Sequence, residues 1–385
     1  MPPFIVLSFY GLYALARLRL ADQRTRFRQH LQTHPMILAA VCLYVLALFI
    51  SALHSGNQDD LILAAAAGMV LAVAHLLLPI SIENRRDLVV LLRIVVGTAT
   101  FCSTTALGAL VVTLLTGHEV MIYPARLLYD KAHILGRMGI LFVARGIFSH
   151  PNYLGMLANL ALPGALFLGG EARTKAGKSL VAVCMVLCLA GVAASASFVV
   201  LPSLLLVLLF YHTASRKAVF RGLRLLVILL IVVPNVIILT RADLSLLSAS
   251  PVTSPGRIFL WNSSIRVIGE HMLLGVGPVQ AAKSLTGGYA AHNTFLDIAL
   301  AAGIPAMMLY SCYLLLILKK LAFKNDAPLS VFALLTVLSF SVMQLFETLI
   351  FGGMSVANFF FLVIVVSCLA VKVPRSSGPE DSSRS

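Results

Sequence analysis

Eleven apolar runs of helix length, separated by short connections, constrain this 385-residue chain more than any other feature. They fall near residues 4–16, 36–53, 60–82, 88–116, 152–170, 178–194, 198–212, 222–240, 292–318, 328–348 and 355–371. About twenty apolar residues in a helix cross the hydrocarbon core of a bilayer, whereas barrel strands are about ten residues long and alternate in polarity. Hydrophobic residues make up 59% of the chain, above the roughly 45–50% of a soluble domain. In hydrocarbon every backbone polar group must be satisfied within the segment, which helices achieve. The expected fold class is therefore all-α: a polytopic transmembrane helix bundle of about 11 spans, with a long, partly helical outer loop. One membrane domain is expected over residues 1–373, followed by a disordered cytoplasmic tail over 374–385 that is rich in Ser, Pro and charge. No leader with a small-residue cleavage site is visible, so the first run is expected to remain in the mature protein.

Lysine and arginine orient the bundle, because short cytoplasmic loops retain them. Twenty of the 29 fall in one alternate set of connections, among them Arg17 to Arg28, Arg85, Arg86, Arg173 and Arg216 to Arg224. The opposite set holds eight: Arg126, Lys131, Arg137, Arg145, Arg241, Arg257, Arg266 and Lys283. Arg93 lies inside a run near its inner end, within snorkelling reach of the interface. This split places the C-terminus in the cytoplasm and the segments 117–151 and 241–291 outside. The net charge of +14 then reflects anchors to anionic lipid, and no nucleic-acid partner is needed. All six cysteines lie in apolar runs, where each reads as a small buried hydrophobe rather than part of a disulfide or zinc pattern.

The two outer segments break the rule that loops are short, and such loops commonly carry function. Outer loops are normally poor in cations, yet these concentrate eight, six of them arginine. The planar guanidinium fork suits bidentate phosphate recognition, while lipid anchoring or pairing with local acids is the ordinary alternative for any one of them. Between Ser254 and Val279, Ile258, Trp261, Ile265 and Ile268 recur at three- and four-residue spacing, predicting an amphipathic helix with Arg257 at its start and Arg266 further along. A helix N-terminus adds partial positive charge there, which favours a pyrophosphate. Trp261 reads first as an interfacial anchor and second as a sugar platform.

His292 opens a span at its outer end, and its ordinary pKa of about 6.5 suits a general base. The helix N-terminus and neighbouring arginines are expected to favour its neutral form. Asp297 and Glu347 are acids inside apolar runs and hence functional candidates. Asp297 lies about 140° round the helix from His292 and is not expected to share its face. The outer histidines are isolated and no DxD motif occurs among the nearby acids, so no metal is expected.

These residues resemble a known family. Gly256-Arg257-x-x-x-Trp261, Leu274-Gly275-Val276-Gly277, and His292-Asn293 followed after nine residues by Gly303-Ile304-Pro305 are similar to the signature of the O-antigen ligase and O-antigen polymerase superfamily. Upstream, Arg145-Gly146-x-Phe148-x-x-Pro151-Asn152 resembles the segment by which that family enters its middle helices. The likeness covers roughly residues 120–370, and the His-Asn to Gly spacing is associated with the ligases. It implies a multi-pass protein of the bacterial inner membrane whose active site faces the periplasm. It also implies a metal-independent glycosyltransferase without a cofactor, taking a glycan from undecaprenyl pyrophosphate to a sugar hydroxyl of lipid A-core. The partners would be the undecaprenyl-pyrophosphate-linked donor, the lipid A-core acceptor and membrane lipids. By the same resemblance, Arg257 would be the principal pyrophosphate contact, His292 the base and Arg145 a secondary phosphate contact. Arg266 and Asn293 complete the candidate substrate-binding set.

Two positions depart from the pattern. Ser197-Phe198 stands where the family commonly has Ser-Arg, and Ala306 where the ligases prefer Gly, Thr or Tyr. Members typically have twelve spans against eleven here, a difference that a missing first helix would explain. A polymerase using the same donor chemistry is the alternative within the superfamily. A transporter is the alternative outside it, and predicts broken helices and midplane charges.

Overall fold

The structure is a computed structural model, and it describes residues 21–82, 84–116, 121–122, 125–126, 128–130, 142–145, 147–148, 150–244, 255–285, 290–321, 327–348 and 356–371. A polar lead-in helix α1 (Ala21–Thr33) enters α2 (Pro35–Ser55), which starts at a proline that has no N–H to leave unpaired. Then follow α3 (Gln58–Ser81), α4 (Arg85–Thr116), α5 (Pro151–Glu171), α6 (Lys175–Ala194), α7 (Leu201–Phe210) and α8 (Lys217–Thr240). Two loop helices, α9 (Pro255–Glu270) and α10 (Pro278–Lys283), precede α11 (Thr294–Leu321), α12 (Ala327–Gln344) and α13 (Val356–Ala370).

By length and composition, eight of these helices suffice to cross a membrane. The shorter apolar helices α7 and α13 occupy two further expected runs, and the first run, residues 4–16, lies outside the described residues, as does the tail. The 117–151 segment contains two short antiparallel pairs: β1 (Met121–Ile122) with β2 (Ala125–Arg126), and β3 (Leu128–Asp130) with β4 (Phe142–Ala144).

Burial separates centre from rim. Buried residues make up 89% of the apolar window of α12 and 78% of that of α5, against 17% for α6 and 22% for α8. Polar pairs tie the central helices where no water competes. Asn159 of α5 donates to Ser203 of α7 at 2.7 Å and to Ser339 of α12 at 2.8 Å, and Asn235 of α8 donates to Ser311 of α11 at 2.9 Å. Contacts sort the connections into two ends. Arg85 meets Glu171, and Lys320 meets the Thr33 carbonyl, at one end; His292, Glu347, Asn152 and Ser197 gather at the other.

Candidate functional site

The chain before α11 is held in an unusual shape. His292 adopts φ +51°, a left-handed backbone uncommon outside glycine and usually retained for a reason. Its neighbours fix that shape. Asn293 caps α11, its Oδ1 accepting from the backbone N of Phe295 at 3.0 Å and of Leu296 at 3.2 Å, while its Nδ2 donates to the Leu345 carbonyl. Trp261 Nε1 donates to the Ala291 carbonyl at 2.9 Å, and Ala291 N donates to Asp297 Oδ1 at 2.9 Å. Thr348 Oγ1 donates to the other Asp297 oxygen, and Thr294 Oγ1 to the Glu347 carbonyl.

So held, His292 Nδ1 lies 3.0 Å from Glu347 Oε1. Glu347 Oε2 accepts from Asn152 Nδ2 at 2.7 Å, and Asn152 Oδ1 accepts from Ser197 Oγ at 3.0 Å. Three turns of the bundle thus converge on one histidine. The Glu347 side chain is 7% exposed and that of His292 36%, so the acid is enclosed while the imidazole reaches the surface.

The two partners shift each other's proton affinity. The hydrogen bond to Glu347 raises the His292 pKa above its usual value, against burial and the nearby Arg257 charge. Burial works to raise the Glu347 carboxyl, but the bond to His292, that charge and the bond from Asn152 leave it below the usual range. The expectation of a neutral imidazole left out this carboxylate, whose hydrogen bond at 3.0 Å shifts the histidine pKa upward against burial and the Arg257 charge. Arg257, partly buried in the first turn of α9, feels burial downward and the Glu347 charge upward.

A backbone latch sets α9 against α11. Gly303 (φ +83°) interrupts α11, and Pro305 has no N–H to offer the Ala301 carbonyl. The exposed groups are filled from the loop and from α2. Val276 N donates to Leu300 O at 2.8 Å, Gly277 N to Ala301 O at 3.0 Å, Ile304 N to Met272 O at 2.8 Å, and Ser51 Oγ to Ala301 O. A Cβ at Gly275 would collide with the backbone of Ala301, one at Gly277 with the Asp60 carboxylate, and one at Gly303 with the Leu273 carbonyl. Asp60, in the first turn of α3, accepts from the Val279 N–H and from Ser55 Oγ. The two glycine motifs are the two halves of this one joint.

The apolar stripe of α9 is buried as expected, with Ile258, Trp261, Ile265 and Ile268 all at 9% exposure or less. Beside it, against α8 and the start of α11, lies an apolar cavity of about 390 Å³ lined by Val233, Ile237, Ile265, Leu296 and Phe346.

Of the expected site residues, His292 and Arg257 lie near enough for the arginine charge to act on the imidazole. Asn293 sits beside them, with its amide engaged by backbone. Arg266 is nine residues past Arg257, about half a turn out of phase, and lines a separate cavity with Arg241, Asp243 and Glu270. Arg145 follows β4 and precedes the His150 turn. Lys131 and Arg137 lie outside the described residues. Asp297 stays off the imidazole contact and serves as a backbone clamp; because His292 precedes α11 in a left-handed backbone, the helix angle expected between the two does not apply. The Trp261 ring is buried, its N–H is bonded to the Ala291 carbonyl, and it lines the apolar cavity. The role of Asn152 and the pairing of Glu347 with His292 were not visible in the sequence; only the acid in an apolar run signalled Glu347. Phe198, where the family has arginine, is 59% exposed.

Fold and site define a multi-spanning helical membrane protein with a histidine–carboxylate pair and an arginine at one end of the bundle. Residues 180–311 match the family model described as O-Antigen ligase, which supports membership of the O-antigen ligase superfamily. The match takes in Arg257, His292 and the Val276, Gly277 and Gly303 parts of the latch, and leaves out Glu347, Asn152, Ser51 and Asp60. No curated protein matches the chain.

Proposed function

We propose that this chain is an O-antigen ligase of the bacterial inner membrane, joining a glycan from undecaprenyl pyrophosphate to a sugar hydroxyl of lipid A-core on the periplasmic side. The observation that carries the reading is the 3.0 Å pairing of His292 with Glu347, with Arg257 near enough to influence the histidine's proton affinity.

A sugar hydroxyl is a poor nucleophile. In the proposed step its oxygen attacks the anomeric carbon, its proton passes to His292 Nε2, and the bond from the anomeric carbon to the pyrophosphate oxygen breaks. Glu347, bonded to Nδ1, orients the ring and stabilises the imidazolium that forms, the role a buried carboxylate plays toward histidine in hydrolase triads. Arg257 stabilises the negative charge that gathers on the departing pyrophosphate. The apolar cavity beside Trp261 suits the first isoprene units of the carrier. No metal is assigned, because arginine balances the phosphate charge; among the described residues no group of three His, Cys, Asp or Glu side chains is arranged to hold one.

Incubation of the purified protein with lipid-linked glycan and separate lipid A-core tests this reading. Joined glycan and core support the ligase, whereas longer glycan still on the carrier would assign the polymerase.

A further inference from the structure

At the end of the bundle remote from His292, a cleft of about 900 Å³ lies between α4, the end of α5 and α6. Arg85, Arg86, Arg93 and Arg173 line it, and among the described residues Glu171 is the only acid in its wall. Glu171 is already engaged: Arg85 bonds it at 2.7 and 3.2 Å and lies over the Phe167 ring. Three positive charges therefore remain without an acid in the lining.

Arg86 and Arg93 are seven residues apart, hence on one face of α4 and about 10 Å apart along it. Val90 and Ile94 beside Arg93 are 49% and 60% exposed, and at the far end of α4 Leu115 is 81% exposed. On a helix long and apolar enough to cross a membrane, exposed apolar side chains such as Leu115 suit contact with lipid. About 20 residues cross the hydrocarbon, and counting back that far from Leu115 ends near Val96, just past Arg93. On that count Arg93 falls near the level of the lipid phosphates, with Arg86 about two turns further out along α4. Deeper in the cleft the wall turns apolar, with Val96, Leu180 and Val181.

We propose that this cleft binds one phospholipid of net negative charge, its phosphate held by Arg86, Arg93 and Arg173 and an acyl chain lying against Val96, Leu180 and Val181. The apolar floor at acyl depth argues for a lipid over a soluble phosphate, and the uncompensated positive wall for an anionic headgroup over a zwitterionic one.

Native mass spectrometry of the purified full chain tests this, with phosphatidylglycerol, phosphatidylcholine and soluble glycerol phosphate offered separately. The wild-type protein is expected to retain phosphatidylglycerol at least about tenfold better than phosphatidylcholine and to retain no glycerol phosphate. At about fivefold per basic residue near an anionic surface, Arg86→Gln, Arg93→Gln and Arg173→Gln combined lower phosphatidylglycerol retention about a hundredfold. Equal retention of the two lipids by the wild type, an undiminished signal in the triple variant, or tight binding of glycerol phosphate would each overturn the proposal. The wild-type comparison decides alone if the triple variant does not fold.

Discussion

Glu347 Oε1 lies 3.0 Å from His292 Nδ1, although 55 residues separate them. The contact raises the histidine pKa above its usual value of about 6.5. A base must be neutral to accept a proton, so transfer by the wild type is expected to rise with pH through a midpoint above 6.5. Glu347→Gln removes the charge that raises that midpoint. The rise then shifts to lower pH, and the plateau falls by about tenfold to a hundredfold, part of the roughly 10² to 10⁴ that a general base supplies. A pH–rate profile unchanged by Glu347→Gln would separate this acid from the chemistry.

Arg257 and Arg266 share a helix but point half a turn apart, and a paired substitution distinguishes them. Arg257→Lys keeps charge but loses the planar fork, and most transfer activity should go with it. Arg266→Lys should transfer within about twofold of the wild type. Equal rates for the two variants would show that the face of α9 does not matter.

Gly303→Ala tests the latch. Alanine at φ +83° is strained by about 1–3 kcal/mol, and its methyl meets the Leu273 carbonyl. The expected outcome is a lower thermal midpoint and a lower folded yield, read by fluorescence-detected size-exclusion chromatography. Wild-type stability would mean that α11 does not need the loop to fill its break.

Orientation is open to chemical labelling. A cysteine at Ser284 should react with a membrane-impermeant thiol reagent in intact spheroplasts, and one at Ser215 should not. The reverse pattern would place the His292 end in the cytoplasm.

Much of this was legible in the chain because bilayer physics leaves few options. The apolar runs gave the helices, and the 3.6-residue stripe of α9 gave the buried face of Ile258 to Ile268. The clustering of arginines pointed to Arg257, and the His-Asn run to His292. What stayed hidden depended on tertiary pairing. Nothing near Glu347 in sequence names His292 as its partner, and the protonation preference followed from that unseen contact. The glycines could be recognised as a pattern, but their purpose required seeing Val276 and Gly277 bonded to carbonyls freed by Gly303 and Pro305. Arg266 could be placed on α9, but not excluded from the His292 cluster until the buried face of that helix was known.

The central claim is that His292 takes the acceptor's proton in glycosyl transfer from a lipid pyrophosphate. The most direct measurement is the initial rate of joined-product formation by wild type and His292→Gln, reconstituted with undecaprenyl-pyrophosphate-linked glycan and lipid A-core in EDTA. Glutamine retains hydrogen bonding but cannot act as the base, so the variant is expected to insert, bind donor and transfer about 10² to 10⁴ times more slowly. Near-wild-type transfer by His292→Gln, at equal protein and donor occupancy, would contradict the account.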